Sequence, residues 1–92
     1  MKVYCTEYAL TAGITQHEVL RELENGGVVV KWPGGVNGVH HLFKGDWKES
    51  RVEAIRTAEE MRAAKIRSLR RQIEMLEAMT FAIKEGDAPE SQ

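Results

Sequence analysis

The sequence predicts an α+β fold: a small N-terminal antiparallel β-meander, curled in an SH3-like manner, followed by one long C-terminal helix with a coiled-coil-like seam. Three observations lead there. The first half is rich in β-branched residues and is broken at short intervals by Asn25-Gly26-Gly27, Pro33-Gly34-Gly35 and Lys44-Gly45-Asp46. From Ser50 to Lys84 no glycine or proline interrupts the chain. Within that stretch apolar residues recur at spacings of three and four from Ile66 onward. The expected division is a β domain over 1–48, a helix for packing and oligomerisation over 49–85, and a disordered polar tail over 86–92.

Lys2 to Tyr8 reads as the first strand, with Val3, Cys5 and Glu7 on one face and Tyr4, Thr6 and Tyr8 on the other. Thr11-Ala12-Gly13 ends it. Residues 14–24 read two ways. Thr15-Gln16-His17-Glu18 matches a helix capping box, and Val19, Leu20 and Leu23 fit a helical stripe. Alternatively, a strand runs into the Asn25-Gly26-Gly27 turn and returns as Val28-Val29-Val30-Lys31-Trp32. The strand is preferred, because Asn-Gly beside a valine run is a strong hairpin signal. After Pro33-Gly34-Gly35, residues Val36 to Phe43 form a further strand, giving about four in all. Trp47 is expected to pin the helix to the sheet, and Trp32 is a second candidate. Each reads first as a buried aromatic and second as a ligand contact.

Ser50-Arg51-Val52-Glu53 fits the helix-capping pattern. A helix reaching Lys84 would be about 50 Å long, too long for a small domain to cover. Its first stripe is Val52, Ile55, Ala58 and Met61 or Arg62, with Ala54, Ala58, Ala63 and Ala64 allowing close approach to the sheet. Its second is Ile66, Leu69, Ile73, Leu76, Thr80 and Ile83, an a/d seam with Ile at a and Leu at d. Folding back on the domain would need a shorter helix, so self-association as a homodimer or higher oligomer is preferred. Arg70 and Glu77 fall at e positions, and Lys65 and Gln72 at g. A parallel pair opposes Lys65 to Arg70, whereas an antiparallel pair lets Arg70 meet Glu77 of the other chain. The a/d identities suit parallel dimers, but the charges favour the antiparallel arrangement, which is preferred.

Ninety-two residues with 13 Lys+Arg against 14 Asp+Glu make one small, nearly neutral domain, not a general nucleic-acid coat. The single cysteine, Cys5, excludes an intrachain disulfide and a cysteine-based zinc cluster and suits a reducing setting. No apolar run approaches membrane-spanning length, so a soluble, cytoplasmic protein is expected. His40 and His41 are adjacent on a strand and point to opposite faces, a poor start for a metal site. The glycines of 33–38 lack the lysine and the strand–turn–helix setting of a phosphate-binding loop. No nucleophile–base arrangement is recognisable. Neither catalysis, metal nor cofactor is expected.

Arg62, Lys65, Arg67, Arg70 and Arg71 form a basic block without an intervening acid. A solvated face is the preferred reading, and a patch for phosphates or an acidic protein surface is the other. Candidate partner-binding residues are Trp32 and Asn37 on the hairpin region 26–38, His40 just after it, and Arg62, Lys65, Arg67 and Arg71 on the helix.

Several segments resemble a family of small, mostly uncharacterised proteins of bacteriophages and prophages. They are Met1-Lys2-Val3-Tyr4 with Thr6 and Tyr8-Ala9-Leu10-Thr11-Ala12-Gly13-Ile14, then Gly45-Asp46-Trp47. On the helix they are Ala58-Glu59-Glu60-Met61-Arg62, Lys65 to Ile73, and Leu76-Glu77. The hairpin, with Val28-Val29-Val30 and its glycine-rich turn, differs from the pattern. The resemblance implies a curled β domain with a long helix, and it supports the strand reading of 14–24. It also implies a phage accessory role in the host cytoplasm: binding and inhibiting a host protein or defence complex, in the manner of anti-CRISPR proteins. It brings no catalytic residues. Two alternatives stand beside this expectation. One is a nucleic-acid-binding accessory protein using the 62–71 block. The other is a sequestering protein for a nucleotide signal, using Trp32, His40 and His41.

Overall fold

The computed structural model describes residues 1–83. Five strands precede one helix: β1 (Lys2–Cys5), β2 (Thr15–Glu22), β3 (Val28–Lys31), β4 (Val39–Leu42), β5 (Trp47–Lys48) and α1 (Arg51–Glu77). Every pairing is antiparallel, and the order across the sheet is β4-β3-β2-β1-β5. Residues 14–24 thus carry a strand. The expected four strands become five, because Trp47 and Lys48 return to the free edge of β1, and the Thr6 amide extends that ladder to the Asp46 carbonyl at 2.9 Å. The strand expected over 36–43 begins only at Val39. Val36–Gly38 form a 3₁₀ turn in which Asn37 takes φ 55°.

The curl comes from β2. Its first half, Thr15 to Glu18, pairs with β1; its second half, Val19 to Glu22, pairs with β3. The register slips between Val19 and Arg21, a bulge that bends the strand and hands it from one ladder to the other. Side chains of period two then converge on the concave face. Val3, Cys5, Val28, Val30 and Leu42 are fully buried there, with Val19, Trp32 and Trp47 packed against them. The Trp47 indole donates from Nε1 to the Gly26 carbonyl at 3.2 Å, tying β5 to the β2–β3 turn.

The Ser50 hydroxyl accepts from the Glu53 amide at 3.3 Å, as the capping pattern predicts. The helix then packs on β5 and β1 through a smaller contact than expected. Ala54 is its only fully buried residue, Ala58 and Met61 are half-buried, and Val52, Ala63 and Ala64 are exposed. The far end also differs. The helix stops at Glu77, where the Ala78 amide donates to the Glu74 carbonyl and the Met79 amide to the Leu76 carbonyl. Glu74 and Glu77 crowd the negative end of the helix dipole, and no basic residue lies in the last turn to offset them. Thr80 and Ile83 therefore lie beyond the helix and leave the seam, with Ile83 91% exposed. Positions 84–85 of the expected helix and the 86–92 tail lie outside the described residues. The protein measures 66 × 29 × 24 Å with a radius of gyration of 21.4 Å. A globule of this length would have a radius near 12 Å. Most of the helix stands clear of the sheet.

Candidate functional site: a bare helix face and an aromatic rim

At 100° per residue, Ile55, Ala58, Arg62, Ile66, Leu69, Ile73 and Leu76 fall within an arc of about 80°. From Ile66 to Leu76 the four apolar members are 40% to 65% exposed. Nothing in the domain covers them. Arg70 and Glu77 flank this face, as the heptad register predicts, and both are exposed. Of the expected seam residues only Thr80 and Ile83 are displaced from it.

Toward the sheet the same face runs into a groove. The loop between β1 and β2 folds so that the Tyr8 carbonyl accepts from the amides of Thr11, Ala12 and Gly13 at 2.8–3.1 Å. That tight wrap presents Leu10 and Ile14 to the helix, where with Ile55, Ala58 and Arg62 they line the groove. Leu10 and Ile55 remain 45% and 44% exposed. Sequence reading ends the first strand at Tyr8, puts the break at Thr11-Ala12-Gly13 and gives Leu10 no structural role; the groove exists only because the helix crosses beside the loop.

At the opposite end of β3 the concave face closes with rings instead of aliphatics. Strand pairing sets His17 opposite Val3 and His40 opposite Val30, so both imidazoles share the core face. Trp32 follows Val28 and Val30 in the same phase. The His17 ring stacks on Trp32 at 4.2 Å and 10°, His40 lies 4.7 Å from the indole, and Tyr8 meets it edge-on at 6.1 Å. A carbonyl can only accept, so His17 Nδ1 donates to Lys31 at 3.0 Å. In the neutral ring, Nε2 then accepts from the Thr15 hydroxyl at 2.8 Å. The His40 Nε2 lies within hydrogen-bond distance, 3.3 Å, of a Glu7 carboxylate oxygen. His41 points away, packs on Phe43 at 4.4 Å, and has its Nε2 buried without a partner.

The expected hairpin surface over 26–38 is not one surface. Gly26 sits at the β5 end of β3, held by Trp47, whereas Trp32 and Asn37 lie at the other end. Nor are the expected partner-binding residues gathered together: Trp32 and His40 meet in the rim, Asn37 is exposed in the 3₁₀ turn, and Lys65, Arg67 and Arg71 are exposed on the distal helix.

Among the described residues no group of three or more His, Cys, Asp or Glu is placed to hold a metal ion. Burial pushes the Cys5 thiol up, against hydrogen bonds from the backbone of Glu7 and Tyr8 that pull it down, so it stays protonated in the core. Desolvation, and then the neighbouring Glu7 carboxylate, push the Tyr8 hydroxyl up as well. Among the described residues no helix is long and apolar enough to cross a membrane. No family model matches the chain, and neither a curated protein nor a solved structure does.

Proposed function

We propose that this chain is a non-catalytic, self-associating interaction protein: its helix joins copies, and the aromatic rim of its β domain binds another protein. The supporting observation is the uncovered run Ile66, Leu69, Ile73 and Leu76 on a helix that projects beyond its own domain. Covering such side chains is worth on the order of 1 kcal/mol each, given their partial exposure. A continuous apolar face of this kind marks an association surface. Light scattering at tens of micromolar is expected to give at least twice the 10.4 kDa chain mass. Leu69→Asp combined with Leu76→Asp is expected to return the monomer. A wild-type mass of one chain would sink the reading.

The resemblance to small phage proteins supports a host protein or defence complex as the partner, bound and inhibited by the assembly. The exposed edges of Trp32, His40 and Tyr8 support the rim as the contact. Immobilised protein is expected to retain such a partner from host lysate, and Trp32→Ala is expected to lose it. Equal retention by both would remove the rim from the contact.

A second reading has its own observation: Arg62, Lys65, Arg67, Arg70 and Arg71 are all exposed and make no ion pair among the described residues. Such a cluster can follow a phosphate backbone, with affinity falling steeply as salt rises. Absence of any DNA or RNA shift at low salt would end it.

A further inference from the structure

We infer that two copies pair antiparallel about a two-fold axis between Arg67 and Ser68, seating the end of each helix in the groove between the partner's 9–14 loop and helix. This rests on the self-association proposed above and assigns its register.

The end of the helix at Glu77 is what narrows the choices. A parallel pair sets Lys65 against Arg70 of the partner, twice by symmetry, which repels. An antiparallel pair joining Arg70 to the partner's Glu77 overlaps only about 12 Å of helix, roughly one heptad. Placing the axis beside Arg70 sets that arginine against its own copy. Moving the axis to between Arg67 and Ser68 removes all three faults. The helices then overlap over about 30 Å. Ile66 faces the partner's Leu69 on both sides of the axis. Ile73 lies on the aliphatic stem of the partner's Arg62, whose charged head remains in water. Glu77 reaches the partner's Arg56, twice by symmetry, giving opposite charges at the two ends.

In this register, and in no other considered above, the helix end meets the groove. Leu76 comes level with the partner's Glu59, next to the small Ala58, and Met79 comes level with Arg56, next to Ile55; Leu10, Ile55, Ala58 and Glu59 all line the groove. Apolar surface lies open on both sides, with Leu10 45%, Ile55 44% and Met79 51% exposed. The seam and the groove thus become one interface, and the β domain contributes to it through Leu10.

Disulfide trapping tests the register, because Cys5 is buried and leaves the surface free of thiols. Arg62→Cys and Ile73→Cys are prepared separately, then oxidised alone and as an equimolar mixture. A covalent dimer is expected in the mixture and not from either variant alone, since like positions are about 16 Å apart along the axis. Cross-linking of both variants alone would mean a parallel pair. Cross-linking of Ile73→Cys alone would mean the Arg70–Glu77 register. A dimer by light scattering with no cross-link anywhere would equally overturn the assignment. A monomer in scattering would instead sink the underlying self-association. The groove has its own test: Leu10→Glu and, on the helix end, Met79→Glu are each expected to weaken dimerisation about tenfold or more with unchanged circular dichroism. An unchanged dimer in both variants would overturn the groove contact while leaving the dimer standing.

Discussion

The imidazole of His17 lies flat on the indole of Trp32, ring centroids 4.2 Å apart, while its Nδ1 holds the carbonyl of the residue just before that indole, Lys31. One side chain of β2 therefore positions both the ring and the backbone at the end of β3. Trp32→Ala removes the stack and opens the core at this end. A loss of about 2–3 kcal/mol is expected, below the range for a fully buried tryptophan because this one is half-buried. Trp32→Phe should recover most of it. Urea unfolding followed by circular dichroism gives both values.

The helix touches the sheet through a methyl group. Ala54 is fully buried between α1 and the β1–β5 edge, so Ala54→Leu has to lift the helix or displace β5. A cost of about 1–3 kcal/mol is expected. Ala63→Leu, on an exposed turn of the same helix, is expected to change stability by less than about 0.5 kcal/mol. Parallel urea titrations of the two variants separate these outcomes.

Two adjacent glycines should respond differently to the same substitution. A Cβ on Gly35 would sit 2.5 Å from the Val39 carbonyl oxygen and 3.2 Å from that of Trp32, so the neck of the β3–β4 connection has to open. Gly34 faces open space, but its φ of +88° is strained for any L-residue. Gly34→Ala is expected to cost about 1–2 kcal/mol from conformation alone, and Gly35→Ala more. Thermal melts should show the larger drop for Gly35→Ala.

Burial raises the Cys5 pKa in the folded state, so folding favours the protonated thiol. Its contribution is fully present below the unfolded thiol value, about 8.5, and is lost as pH rises above it. Tyr8, also raised, acts in the same direction at higher pH. Unfolding free energy should therefore fall from about pH 8.5 upward, and a Cys5→Ala variant should stay flat to about one unit higher, where tyrosine begins to titrate. A thiol reagent at neutral pH should react with the native protein only as fast as it opens.

Short-range signals carried the parts of this fold that are built from neighbours in the chain. Val3 and Cys5 alternate inward, the valines of β3 return from Asn25-Gly26-Gly27, and Ser50 caps the helix, all as local pattern predicts. β2 was legible only through its turn. Its inward residues are Thr15, His17 and Val19, and two polar residues on a core face spoil the alternation until Trp32 and the Lys31 carbonyl satisfy them. β5 is two residues long, too short for any period, and exists because β1 offers a free edge. The stop at Glu77 has no glycine or proline to announce it, since it follows from charge at the helix end. The aromatic rim draws on four segments and the groove on two. In sequence, Leu10, Ile14 and His17 carried no mark of either.

The place of β1 between β2 and β5 bears on how the chain reaches its native state. Of the five strands, β1 leaves the ribosome before the others, finds one neighbour about ten residues later, and waits for Trp47 and Lys48 to meet the other. The seat under Ala54 is complete only when the opening turn of the helix has emerged. Closure of the domain is thus a late, long-range event, of the kind that slows folding. By contrast, the distal helix is synthesised after the domain and has no part in it. A chain stopped soon after Met61 is expected to fold and remain single, so translation itself separates making the domain from making the assembly.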